Sequence, residues 1–161
     1  MSASRVDRET RARSEDHLGL RVWLRLLTCT QLIERRVRHG LRTGFGTTLP
    51  RFDLMSQLER HPEGLKMNEL SRRMMVSGGN VTGITDQLVK EGLVERTAEP
   101  SDRRAFRVRL TREGGKAFAA MARAHEAWVA GLFSGLKLKD QRELFRLLAK
   151  FKQQALRGDM S

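Results

Sequence analysis

The stretch GLVERTAEPSDRRAFRVRLT, residues 92–111, restricts the fold of this chain more than any other segment. Leu93 to Ala98 alternates apolar and polar side chains, Glu99 to Arg103 contains Pro100 and turns, and Phe106 to Leu110 alternates again. That pattern predicts two short strands joined by a charged loop. Phe106, Val108 and Leu110 should share one side, leaving Arg107 and Arg109 to point outward. Arg96, Arg103, Arg104, Arg107, Arg109 and Arg112 all crowd around this hairpin. A strand pair with a cationic tip is suited to placing a guanidinium in a DNA minor groove.

Charge and length agree with a nucleic-acid partner without requiring one. The 161 residues suit one domain, or one compact lobe with helical extensions, and carry a formal net charge of +12. Such a surface attracts polyanions, but anionic membranes would serve as well, so the clustering of the charge matters more than its amount. The opening MSASRVDRETRARSEDH is polar and lacks the apolar run of a secretion signal, so residues 1–17 are expected to form a flexible basic arm. No apolar run is long enough to span a bilayer, and with Cys29 as the single cysteine no internal disulfide can form. A cytoplasmic setting is expected.

Helical periodicity fills most of the remainder. From Leu18 to about Leu41 the residues Leu26, Cys29, Ile33, Val37 and Leu41 recur three or four apart, with Leu20, Trp23 and Leu27 widening the face. Arg42 to Thr48, with two glycines, should break this helix. After Pro50, Phe52, Leu54, Met55 and Leu58 form the inner side of a shorter helix ending near His61 and Pro62. Past the hairpin, Thr111 is a good N-cap, with Glu113 in the first turn, for a long helix through Phe118, Met121, His125, Trp128, Leu132 and Leu136. A last helix carries Leu144, Leu147, Leu148 and Phe151. The first helix and these last two expose more apolar surface than one small lobe can cover, which predicts a homodimer.

Between the second helix and the hairpin lies a helix-turn-helix pattern. Met67, Leu70 and Met74 mark its first helix, Val76 begins the turn, and Ser77 is positioned to cap a second helix running to about Glu91, with Gly92 closing it. Val81, Ile84 and Leu88 fall on the inner face of that second helix. Gly78, Gly79, Asn80, Thr82, Gly83 and Gln87 occupy the other faces, small or polar as a helix close to base edges requires.

These features together resemble the MarR-type winged helix-turn-helix regulators. The resemblance rests on Asp102, Arg104, Leu110 and Thr111, an Asp-x-Arg wing followed by Leu-Thr opening the next helix, and on SGGNVTGITDQLVKEGLVER, with Ser77, Val81, Leu88, Gly92, Leu93 and Arg96 in the expected places. It extends over about residues 18–156, by pattern more than by motif in the outer helices. Gly83 departs from it, since many members carry a larger polar or basic residue there. The resemblance implies a mainly α fold with a small β wing. Residues 18–48 would form an N-terminal dimerisation and effector helix, 49–112 the DNA-binding lobe, and 113–161 the C-terminal dimerisation helices.

It also implies roles for individual residues. Arg104 would enter the minor groove and Asp102 would hold it through a charge-assisted hydrogen bond, with Arg103 beside them. Asn80 and Thr82, and less strongly Gln87, would face bases across the close surface that Gly79 permits, while Ser77 caps and Arg72 and Arg73 neutralise phosphates. Double-stranded operator DNA with half-sites about one helical turn apart is the expected partner. In the family a small ligand releases the protein from DNA by acting between the dimerisation helices and the winged lobe. Here Trp23, Phe52, Met55 and Met121 would give an apolar floor, and Arg36, His39, Arg42 and Arg51 the anion partners. With Arg35 and Arg38 nearby, and with a GGNVTG helix similar to regulators of aromatic catabolism, the effector expected is an aromatic acid or its coenzyme A thioester.

Other classes fit less well. Cys29 lies on an apolar helical face without a basic neighbour, and the chain has no tyrosine to hold a reactive thiolate, so packing rather than oxidant sensing is expected of it. His17, His39, His61 and His125 are dispersed without ligand spacing, which argues against an enzyme, a metal or any cofactor. A non-specific architectural DNA protein remains the rival reading, because charge and a wing would serve it too.

Overall fold

A computed structural model describes residues 17–74 and 80–158, with the side chain of Arg103 excepted. The elements run α1 (Leu18–Phe45), α2 (Leu49–Glu59), β1 (Leu65–Lys66), α3 (Met67–Arg73), α4 (Val81–Lys90), β2 (Val94–Glu99), β3 (Asp102–Leu110), α5 (Arg112–Phe133) and α6 (Leu138–Gly158). The expected mainly helical fold with a small β wing is present. The expected arm, residues 1–17, lies almost wholly outside the described residues. No helix among those described is long and apolar enough to cross a membrane.

Local chemistry explains most of the boundaries. Helix α1 continues past the expected break at Arg42 to Phe45 and ends on Gly46, whose left-handed backbone returns its N–H to the carbonyl of Arg42. Thr48 caps α2, with Pro50 in its first turn where the missing N–H costs nothing. Thr111 caps α5 by accepting the Gly114 N–H at 3.0 Å. The sheet is antiparallel in the order β1-β3-β2, and strand β1 went unforeseen because two residues show no period.

One apolar core joins the lobe to parts of the long helices. Leu54, Met55 and Leu58 of α2, Leu70 of α3, Leu88 of α4, Val94 and Val108 of the sheet, Val37 and Leu41 of α1, and Phe118 and Met121 of α5 are all buried in it. Phe52 stacks on Phe118 at 5.4 Å and on His125 at 5.0 Å, tying α2 to α5. Thr85, unforeseen as a core residue, is also fully buried and returns its hydroxyl to the Val81 carbonyl at 2.8 Å. At the start of α5 the helix backbone sits directly on the carbonyl of Leu93. A Cβ built at Gly114 would lie 1.8 Å from that oxygen, so only glycine allows the approach.

The outer helices are different. Helix α6 buries none of its residues, and Leu18, Leu20, Val22, Trp23, Leu27 and Leu32 of α1 are exposed in the single chain. Cys29 belongs to this uncovered half of α1 and is exposed, correcting the expectation that it packs within the chain. The side chain of Gln141 donates to the carbonyls of Phe133 at 3.1 Å and Leu136 at 3.0 Å, fixing the turn between α5 and α6.

Candidate nucleic-acid interface

Helix α4 and the β2–β3 wing present the polar surface of the lobe. The helix begins at Val81, later than the sequence pattern suggested, and its cap is Asn80, whose Oδ1 accepts the Gly83 N–H at 3.1 Å. A Cβ at position 83 would come within 3.0 Å of the Asn80 amide nitrogen, so Gly83 leaves room for the cap. Asn80, Thr82 and Gln87 are all exposed. Ser77 and Gly79 lie outside the described residues.

The fate of the arginines was the main surprise. Arg96 pairs with Asp86 of α4 and lies 5.3 Å above the ring of Phe106. Arg109 pairs with Glu95 at 2.6 Å across the strands, and Arg107 donates to Glu99 at 2.8 Å and to the Gly64 carbonyl at 3.0 Å. Arg107 and Arg109 were expected to point outward; both keep partly exposed side chains, and their ion pairs brace the sheet. Sequence alone gave Glu95 and Glu99 no role, although Glu95 stands directly opposite Arg109, a cross-strand charge pair that could have been read; Glu99 faces Asp102 across a register shift and gave no such signal.

Arg104 keeps its guanidinium clear of any carboxylate among the described residues. The turn is shorter than expected, Pro100–Ser101 alone, so Asp102 and Arg104 start strand β3. Asp102 holds its neighbour through the backbone, accepting the Arg104 N–H at 2.9 Å, rather than through the guanidinium. The carboxylate thereby shapes the wing tip and leaves the Arg104 side chain free to meet a phosphate or a groove. Arg72 and Arg73, in the last turn of α3, are exposed without a carboxylate partner among the described residues. The side chain of Arg103 lies outside the described residues.

The residues expected to form an effector pocket are scattered in the single chain. Phe52, Met55 and Met121 are core residues, since their apolar surface is already covered by α5 and α2, while Trp23 is exposed on the opposite half of α1. Arg51 is held by Glu91 at the end of α4, with one contact at 2.8 Å, and that pairing pulls the Glu91 carboxyl below its usual range. Arg36, His39 and Arg42 remain exposed on α1. The fold does form one open cleft of about 420 Å³ lined by Leu58, Glu59, Glu95, Arg109 and Arg112, and another of about 450 Å³ lined by Phe133, Leu138, Phe145 and Leu148. Neither contains an expected effector residue.

Comparison with known proteins agrees with this arrangement. The MarR family model matches residues 47–106, the segment from α2 through the wing. A MarR family transcriptional regulator from Silicibacter pomeroyi has a solved structure that superposes with a TM-score of 0.76 at 30% identity, covering 89% of this chain and 99% of that one. The HTH-type transcriptional repressor MdtR of Bacillus subtilis is 28% identical, with 89% of this chain and 91% of the relative covered. The transcriptional activatory protein BadR of Rhodopseudomonas palustris is 26% identical over 83% of this chain and 79% of the relative. These relatives are regulators of transcription and not enzymes. A capped helix beside a braced wing, in a fold shared nearly end to end with a MarR protein, places the chain in the MarR family of DNA-binding transcriptional regulators.

Proposed function

We propose that two copies of the chain bind a pseudo-palindromic operator, each setting α4 into a major groove and Arg104 into the neighbouring minor groove, and that a small anionic aromatic effector releases them. The observation that carries the DNA contact is the partition of charge. Arg96, Arg107 and Arg109 are engaged inside the lobe, while Arg104, Arg72 and Arg73 are exposed and without carboxylate partners among the described residues. Asn80, Thr82 and Gln87 would read bases between them, with Asn80 offering its amide nitrogen while its oxygen caps the helix.

Pairing is supported by the apolar surface left on α1 and α6. Residues 18–48 and 113–161 are assigned to dimerisation and 49–112 to the DNA-binding lobe. The effector reading is supported by the exposed basic side chains Arg35, Arg36, His39 and Arg42 on α1, the helix that also carries the uncovered Trp23. An aromatic acid, or its coenzyme A thioester, offers the matching anion and ring. Repression is the sign proposed, as in MdtR.

Fluorescence anisotropy with the DNA flanking the gene itself, against scrambled duplex at fixed salt, tests the operator. A preference of about a thousandfold is expected of a regulator, and none of an architectural DNA protein. Arg104→Ala should lower operator affinity by roughly tenfold with the unfolding midpoint intact; unchanged affinity would remove the wing from the interface. Calorimetry with hydroxycinnamate and with its thioester tests the effector, and no heat from either discards that part.

A further inference from the structure

We propose that Glu99 is a positioning residue for the wing, acting through Arg107 and Lys66 to hold Arg104 at a fixed distance from helix α4. The proposal rests on Arg104 being a DNA contact. Glu99 is the last residue of β2, where the register shifts so that it faces Asp102 across the turn. Its side chain is only 11% exposed, tucked back along the sheet. One carboxylate oxygen accepts from Arg107 at 2.8 Å and lies 4.0 Å from the Lys66 ammonium, while the other accepts from Ser101 at 3.3 Å. Arg107 extends the bridge to the carbonyl of Gly64 at 3.0 Å.

The bridge compensates for a weakness in the sheet. Strand β1 pairs with β3 only at Leu65 with Val108 and at Lys66 with Arg107, so beyond Arg107 the wing is a two-stranded ribbon. Such ribbons twist readily and have little stability of their own. Lys66 is also the N-cap residue of α3, and its N–H donates to Glu69 at 2.9 Å. Glu99 therefore connects the wing tip to the first residue of the helix-turn-helix. Contacts in adjacent grooves depend on that separation being fixed.

Charge and geometry predict opposite outcomes, which makes the idea testable. Removing a carboxylate from a basic DNA-binding face should strengthen binding on electrostatic grounds. If Glu99 positions the wing, Glu99→Gln should weaken operator binding about fivefold or more. The full-length protein, Glu99→Gln, Arg104→Ala and the double variant would be titrated into operator duplex at one salt concentration, with unfolding midpoints measured in parallel. The expected result is non-additive: Glu99→Gln costs affinity in the parent and almost none once Arg104 is gone. Arg107→Lys keeps the charge but loses the two-pronged contact, and should show the same coupling should Glu99→Gln fold poorly. Unchanged or tighter binding, or a loss that persists in the Arg104→Ala background, overturns the proposal. Arg104→Ala binding like the parent overturns the minor-groove reading first and this inference with it.

Discussion

Helix α4 of the winged lobe and the outer helices α1 and α6 are comparably amphipathic, yet α4 has its apolar face covered within the chain and α6 does not. Leu54, Leu70, Leu88 and Val108 have no exposed surface, whereas Phe145 in α6 is 77% exposed and α6 buries nothing. A helix with an uncovered apolar stripe gains little from propensity alone, since most helix stability in proteins comes from packing that stripe. The contrast teaches that the lobe, with the parts of α1 and α5 packed on it, covers its own apolar surface, while α6 and the first half of α1 leave a stripe that we propose a second copy covers.

The contrast is broken most severely by making the outer stripe polar. Phe145→Asp with Leu148→Asp should leave a folded monomer by light scattering and reduce operator affinity by about a thousandfold, because each copy then binds its half-site alone. A dimer of parental affinity would show that α6 is not the shared surface.

A smaller effect is expected where lobe and outer helices meet. Gly114→Ala forces α5 away from Leu93 and should cost about 3 kcal/mol in denaturant unfolding. A cost near zero would mean that the helix and the lobe are not rigidly joined.

Within the lobe, Asn80→Ala removes the cap of α4 and should cost about 1 kcal/mol. Asn80→Asp keeps the accepting oxygen and the fold, but loses the amide donor and adds a negative charge. Reduced operator affinity in that variant alone would separate base reading from capping.

The smallest effect concerns pH. Burial against Phe52 pushes the His125 imidazole below its ordinary value of 6.5, so the unfolded chain binds this proton more readily than the folded one. Its contribution to stability is complete above pH 6.5 and declines as pH falls below it. His125→Phe should flatten that part of a stability profile. An equal decline in both proteins would place the sensitivity elsewhere.

Much of the site was legible because local chemistry fixes it. Thr111, Gly92 and the alternating strands were readable from cap, turn and period, and the Asp-x-Arg pattern marked the wing. Partners distant along the chain were not. Arg51 was expected to be an anion partner but is held by Glu91, and Arg107, expected only to point outward, is held by Gly64 and Glu99. Asp102 had the right neighbour and the wrong atom, holding a backbone N–H instead of a guanidinium.

The amino-acid order by itself determined the helices, the hairpin and the family pattern, because periods of two and of three to four residues and the caps that end them act over a single turn or strand. Only the folded chain decided which arginines are held and which remain exposed. A charge's partner is set by what packing brings within a few ångströms of it, and in this lobe Arg51 finds Glu91, and Arg107 the Gly64 carbonyl, some forty residues away along the chain.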